Sequence, residues 1–191
     1  MFENTSGTKY AQAYSTSVSL KLRNAFLPFL YPNQYVNYTE KSATVARGKE
    51  IVQNAGATDD LAKVSAIFNW VTSNFSYDYD LAANPPAGYL PDVDKVLAAR
   101  KGICFDYAAV MAAMLRSQDI PCKLVVGYAG KIYHAWIDVY VEGVGWIKNA
   151  IYFDGKSWTM MDPTFVSTGK GSASIMKYVT TPSNYSQKYA Y

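Results

Sequence analysis

The sequence predicts an α+β domain in which a central buried helix packs on an antiparallel sheet, and three observations lead there. Between Cys104 and Leu115 every residue except Asp106 belongs to the apolar set, and a helix apolar on all sides is one enclosed by other elements. N-terminal to it, apolar residues recur at spacings of three and four; after Pro121 the period changes to two, the change that separates helix from strand. Helices that precede strands in this way segregate to one side of an antiparallel sheet.

Each element has its own justification. Residues 1–44 are rich in Tyr, Ser, Thr and Asn, with "FLPFLYPNQY" as the one apolar knot, and read as an N-terminal arm or irregular cap. From Thr58, a candidate cap, Asp59 and Asp60 occupy a positive first turn. Leu61, Val64, Phe68, Val71 and Phe75 then form an amphipathic stripe. "NPPAGYLPD" breaks the chain as a loop, and "DVDKVLAAR" makes a short helix ending near Gly102. The central helix stops before Pro121. "CKLVVGY" and "YHAWIDVYV" are strands, the second with Tyr133, Ala135, Ile137, Val139 and Val141 on a core face and His134, Trp136, Asp138 and Tyr140 on the other. "GVGWIKNAIYF" and "WTMMDPTF" follow as antiparallel strands, with Asp154-Gly155 as a hairpin turn between them. The main domain is expected to span 45–165. Residues 166–191 form a C-terminal extension on the same domain, ending in a surface-draped tail.

Composition removes several function classes. At 191 residues the chain suits one domain with extensions. A net charge of +3, from 18 basic and 15 acidic residues scattered along the chain, argues against nucleic acid as a partner. No apolar run reaches the roughly 18 residues needed to span a bilayer, and "MFENTSGTKY" lacks the order of a signal peptide. Seventeen tyrosines and few charges lean towards an extracellular or cell-surface location, with the cytoplasm still open. No C-x-x-C or H-x-x-x-H pair frames a metal, and "DYDLAANPPAGY" has Ala83 where a calcium loop requires glycine. No metal and no cofactor are expected.

Chemistry converges on Cys104. A thiol needs help to ionise at neutral pH; a helix N-terminus and a nearby imidazolium can lower its pKa to about 3.5–7.5. Cys104 opens the central helix, and His134 is the single histidine of the chain. Asp162 in "MMDPTF" is the chosen carboxylate to accept the other imidazole N–H. The rival, Asp138, lies four strand residues from His134, or roughly 13 Å. Cys122 reads as core filler.

"GICFDYAAVMAAMLRSQDIPCKLVVGY", followed by "YHAWIDVYV", "GVGWI" and "MDPTF", resembles the transglutaminase-like superfamily of papain-fold cysteine enzymes, in its bacterial branch, over about Ala57 to Phe165. The resemblance implies a papain-like core with Cys104 as nucleophile, His134 as general base and acid, and Asp162 orienting the imidazole. It also implies an oxyanion site made by the Cys104 N–H and an upstream donor, for which Tyr77 is the matching residue and Tyr79 the neighbour; Trp136 would wall the site. The implied reaction is acyl transfer at a peptide or carboxamide bond of a peptide or protein substrate, cell-wall peptide included. Two alternatives stand beside it: an arylamine N-acetyltransferase-type enzyme, whose usual lead-in differs from "ARKGIC", and a catalytically silent surface module whose tyrosines make contact.

Overall fold

The computed structural model describes residues 2–6, 9–12, 14, 16–148, 151–153, 158–160, 181 and 184–191. Asp162 and the Asp154-Gly155 turn lie outside the described residues.

An N-terminal hairpin, β1 (Phe2–Ser6) with β2 (Lys9–Gln12), precedes a short 3-10 turn at Leu27–Phe29. Helix α1 (Ala43–Asn54) comes next, and the sequence reading passed over it. Its buried residues Val45, Gly48, Ile51 and Val52 do recur at three and four, but a glycine and polar neighbours dilute the pattern. Gly48 is where α1 meets the central helix: a Cβ there would lie 3.1 Å from Met114 Cβ. Thr44 ties the start of α1 to the next helices, its hydroxyl donating to Val93 O (2.9 Å) and to Asp94 Oδ1 (2.8 Å).

Helix α2 (Asp60–Asn74) starts one residue later than expected, because Asp59 and not Thr58 caps it, accepting the Ala62 N–H at 2.8 Å. Val64, Ile67, Phe68 and Val71 are its buried stripe. A two-residue strand β3 (Ser76–Tyr77), helix α3 (Tyr79–Ala83), helix α4 (Val93–Ala99) and strand β4 (Lys101–Gly102) lead into the central helix α5 (Cys104–Arg116). Arg100 ends α4 in the left-handed conformation, φ 49°. Every residue from Tyr107 to Leu115 is fully buried, as an all-apolar helix requires.

Strands β5 (Cys122–Ala129), β6 (Ile132–Val141), β7 (Gly145–Ile147) and β10 (Tyr185–Ala190) form one antiparallel sheet in the order β10-β5-β6-β7. Strands β8 (Ile151–Phe153) and β9 (Trp158–Met160) pair as a separate antiparallel ribbon. The chain end therefore is not draped over the surface: Tyr185–Ala190 is an edge strand. The expected split of β6 into a core face and an open face is also revised. Ala135, Ile137 and Val139 join the core with α5, yet His134, Trp136 and Asp138 opposite them are buried too. That second face is covered by Phe26 against Tyr140, and by Tyr185 against Trp136, with centroids 4.4 and 5.3 Å apart. Among the described residues no helix is long and apolar enough to cross a membrane.

Candidate active site

Cys104 is the first residue of α5, and its placement is built from the residues around it. Ile103 caps the helix in an extended conformation, and its N–H donates to Asp106 Oδ2 at 2.8 Å. Asp106, the one acidic residue in the helix, is thus a structural clamp. It is fully buried, and its other oxygen accepts the Tyr89 hydroxyl at 2.7 Å. Burial raises its pKa above the usual carboxylate value, and the bonds from Ile103 and Tyr89 partly offset that. Burial, helped by the Asp106 carboxylate, likewise pushes the Tyr89 phenol far above its ordinary value. Gly102 is required here because a Cβ at that position would come within 2.6 Å of Asp106 Cβ.

Tyr77 reaches the same place from a different segment. The parallel pairing of Tyr77 with Gly102 is flanked by two bonds, Ser76 N–H to Arg100 O and Asp78 N–H to Gly102 O, both 2.9 Å. Lys101 Nζ adds an ion pair to Asp78 at 3.2 Å. Tyr77 thereby runs alongside the lead-in to Cys104.

A cavity of about 670 Å³ opens between these elements, and Cys104, Tyr77 and His134 all line it. His134 enters from the beginning of β6, where residues of both faces, Ile132 to Ala135, border the cavity. The imidazole is buried and lies nearly parallel to the Trp136 ring, at 25° with centroids 6.3 Å apart. Trp136 itself, 2 % exposed, supports the histidine from behind and is not among the lining residues. Tyr79 is 68 % exposed and packs on Tyr77, with ring centroids 5.1 Å apart, outside the cavity wall. Asp138 is buried on the same strand face as His134. Cys122 is fully buried and unpaired, its thiol pushed up to about 12 by burial, which makes it an inert core residue.

Sequence reasoning missed most of the cavity wall. Tyr35, Tyr89, Tyr133, Tyr189 and Tyr191 line it with Phe105. Tyr133, expected in the core, is 59 % exposed in the cleft. These residues come from five separate segments, so no local pattern could gather them; the tyrosine content of the chain was their only trace.

Comparison with known proteins agrees with this architecture. Residues 48–163 match the family model described as the transglutaminase-like superfamily. Kyphoscoliosis peptidase of Homo sapiens is 29% identical over 155 residues, 72% of this chain and 22% of that protein. A protein-glutamine gamma-glutamyltransferase of Pseudomonas aeruginosa is 28% identical over 103 residues, 46% of this chain and 15% of that protein. The chain thus spans about a fifth or less of the length of these relatives. Among solved structures, a candidate cysteine protease from Cytophaga hutchinsonii aligns with a TM-score of 0.57 at 20% identity, covering 89% of this chain and 48% of that one. The periplasmic domain of TgpA from Pseudomonas aeruginosa aligns with a TM-score of 0.51 at 23% identity, covering 76% and 49%. At these identities the structures speak for a shared α+β fold, and with the family match over more than half of the residues, the chain belongs to the transglutaminase-like superfamily.

Proposed function

We propose that the protein is an exported cysteine enzyme that transfers or hydrolyses acyl groups at peptide or carboxamide bonds through a thioester on Cys104. The observation that carries this reading is that the thiol at the start of α5 and the only imidazole of the chain open onto one cavity. In the first step the Cys104 thiolate attacks the carbonyl carbon, a C–S bond forms, and the oxyanion accepts the Cys104 N–H and the Tyr77 hydroxyl. His134 gives its proton to the nitrogen as the C–N bond breaks, and ammonia or an amine leaves. Water or a second amine, deprotonated by His134, then attacks the thioester; a C–O or C–N bond forms and Cys104 leaves as thiolate. Asp162 takes the role of accepting the other imidazole N–H, which fixes the tautomer.

Labelling kinetics test the reading. Iodoacetamide at about pH 6 should modify Cys104 quickly, because an activated thiol is already ionised there, and His134→Ala should abolish that speed. Labelling as slow as that of buried Cys122 would turn the protein into a silent member of its superfamily. With an active preparation, Asp162→Asn should lower kcat by about a thousandfold, while unchanged kcat would remove Asp162 from the site.

A further inference from the structure

The cavity wall has an unusual chemical uniformity: among the described residues that line it there is no Asp, Glu, Lys or Arg, and six are tyrosines. Aromatic rings cluster among the lining residues. Tyr35 packs on Tyr191 with centroids 3.9 Å apart and approaches Phe105 at 6.3 Å. Tyr133 meets Tyr128 at 5.5 Å, edge to face. Pro85, Pro86 and Tyr89 line the same cavity. The Tyr191 hydroxyl is pushed up to about 12 by burial and by its bond with Tyr35, and burial raises Tyr133 as well. A neutral phenol donates to a peptide carbonyl and offers a flat apolar face, but it cannot neutralise a charge.

We propose that this cleft selects a neutral peptide segment carrying aromatic, aliphatic or proline side chains next to the attacked carboxamide, and rejects Glu-, Asp-, Lys- or Arg-flanked segments. The proposal rests on the acyl-transfer reading for the position of the reacting bond and deepens it by naming the substrate class. The cleft is about 670 Å³, within the range of about 300–1,000 Å³ usual for ligand sites, so it has room for the side chains that flank the reacting bond. Among the described lining residues none carries an acidic or basic side chain that would pair with a charge placed there, so the hydration such a charge gives up on these walls is not repaid. An aromatic or proline side chain instead exchanges water for stacking on Tyr35, Tyr191 and Tyr133. Bacterial wall stem peptides, rich in free carboxylates and amines, are disfavoured on the same ground.

Binding to the full chain with Cys104→Ala separates recognition from chemistry. The probes are acetylated five-residue peptides with a central Gln, flanked by Phe and Pro, by Glu, or by Lys, and titrations are followed by calorimetry. The neutral peptide should bind at least about tenfold more tightly than either charged one, the penalty expected for a buried unpaired charge. Tyr133→Lys, at a position exposed enough to leave the fold intact, should bring the Glu-flanked peptide about tenfold closer to the neutral one; Tyr189→Lys, 56 % exposed, repeats the test from strand β10. Equal or tighter binding of the charged peptides, or no binding of any, overturns the proposal even if Cys104 labels quickly. Slow labelling together with neutral-peptide selectivity would overturn the enzyme reading and leave the recognition in place.

Discussion

Asp106 carries the sharpest consequence for a single side chain, since it joins the start of α5 to the loop bearing Tyr89. Asp106→Ala leaves two buried donors without an acceptor and should cost about 2–4 kcal/mol, measured as a lower urea midpoint. Asp106→Asn keeps one acceptor oxygen, turns an NH2 towards the other partner and removes the ionisation. Because the folded-state pKa of Asp106 is raised, its favourable contribution is complete below the unfolded value and is lost as pH rises through the folded one. The groups facing it are the Tyr89 phenol and, more distantly, the Asp78 carboxylate, which raises it further. Asn does not titrate, so the stability of Asp106→Asn relative to the wild type should improve as pH increases across that interval. Urea denaturation in a series of buffers from acid to neutral pH checks the sign; a difference that moves the other way would show that the carboxylate is stabilised by a partner. Cys104→Ala, by contrast, should leave the thermal midpoint within a few degrees while removing turnover.

Among the elements, strands β10 and β5 form the joint on which the cleft depends. Gly127 has no room for a side chain: a Cβ there would collide with Ser186 O and come 2.9 Å from the Trp136 ring and 3.0 Å from Gln187 Cα. Gly127→Val should therefore push β10 away from β5 and carry Tyr189 and Tyr191 out of the cavity wall. The expected outcome is a loss of about 1–3 kcal/mol from overpacking, together with weaker binding of neutral peptides. Proteolysis near the C-terminus should accelerate in the same variant, whereas unchanged protection of β10 would show that the strand accommodates the branch. The helices were more legible than this joint. The stripe of α2, the short helix α4 and the apolar run of α5 follow from local spacing, although α4 ends at Ala99 and not near Gly102, which belongs to β4. Strand β10 was missed because "NYSQKYAY" is polar and lacks an alternating pattern. Its backbone becomes a strand only where the free edge of β5 offers partners.

For the molecule as a whole, Arg116 is the tie between distant parts. It is buried at the end of α5 and donates Nε–H to Cys122 O (2.9 Å), an Nη1–H to Tyr31 O (2.8 Å) and an Nη2–H to Tyr191 O (2.7 Å). One guanidinium thus fastens Tyr31, strand β5 and Tyr191 to the central helix through backbone oxygens. Arg116→Met preserves volume and removes every donor, so it should cost about 2–4 kcal/mol and free both ends of the chain, read as faster amide exchange in β10 and around Tyr31. Exchange confined to the helix terminus would limit Arg116 to a local cap.

Alone, the sequence determined the α+β class, the buried helix, the change to strands after Pro121 and the candidacy of Cys104 and His134, because periodicity and a unique histidine are properties of short windows or simple counts. It also contained the superfamily resemblance that the family match upholds. Tertiary structure alone decided the tyrosine-lined cleft, the Asp106 clamp and the fate of the C-terminal strand. Each of these joins residues far apart in the chain, and which ones meet is set by how α5 packs on the sheet and where β5 leaves an open edge.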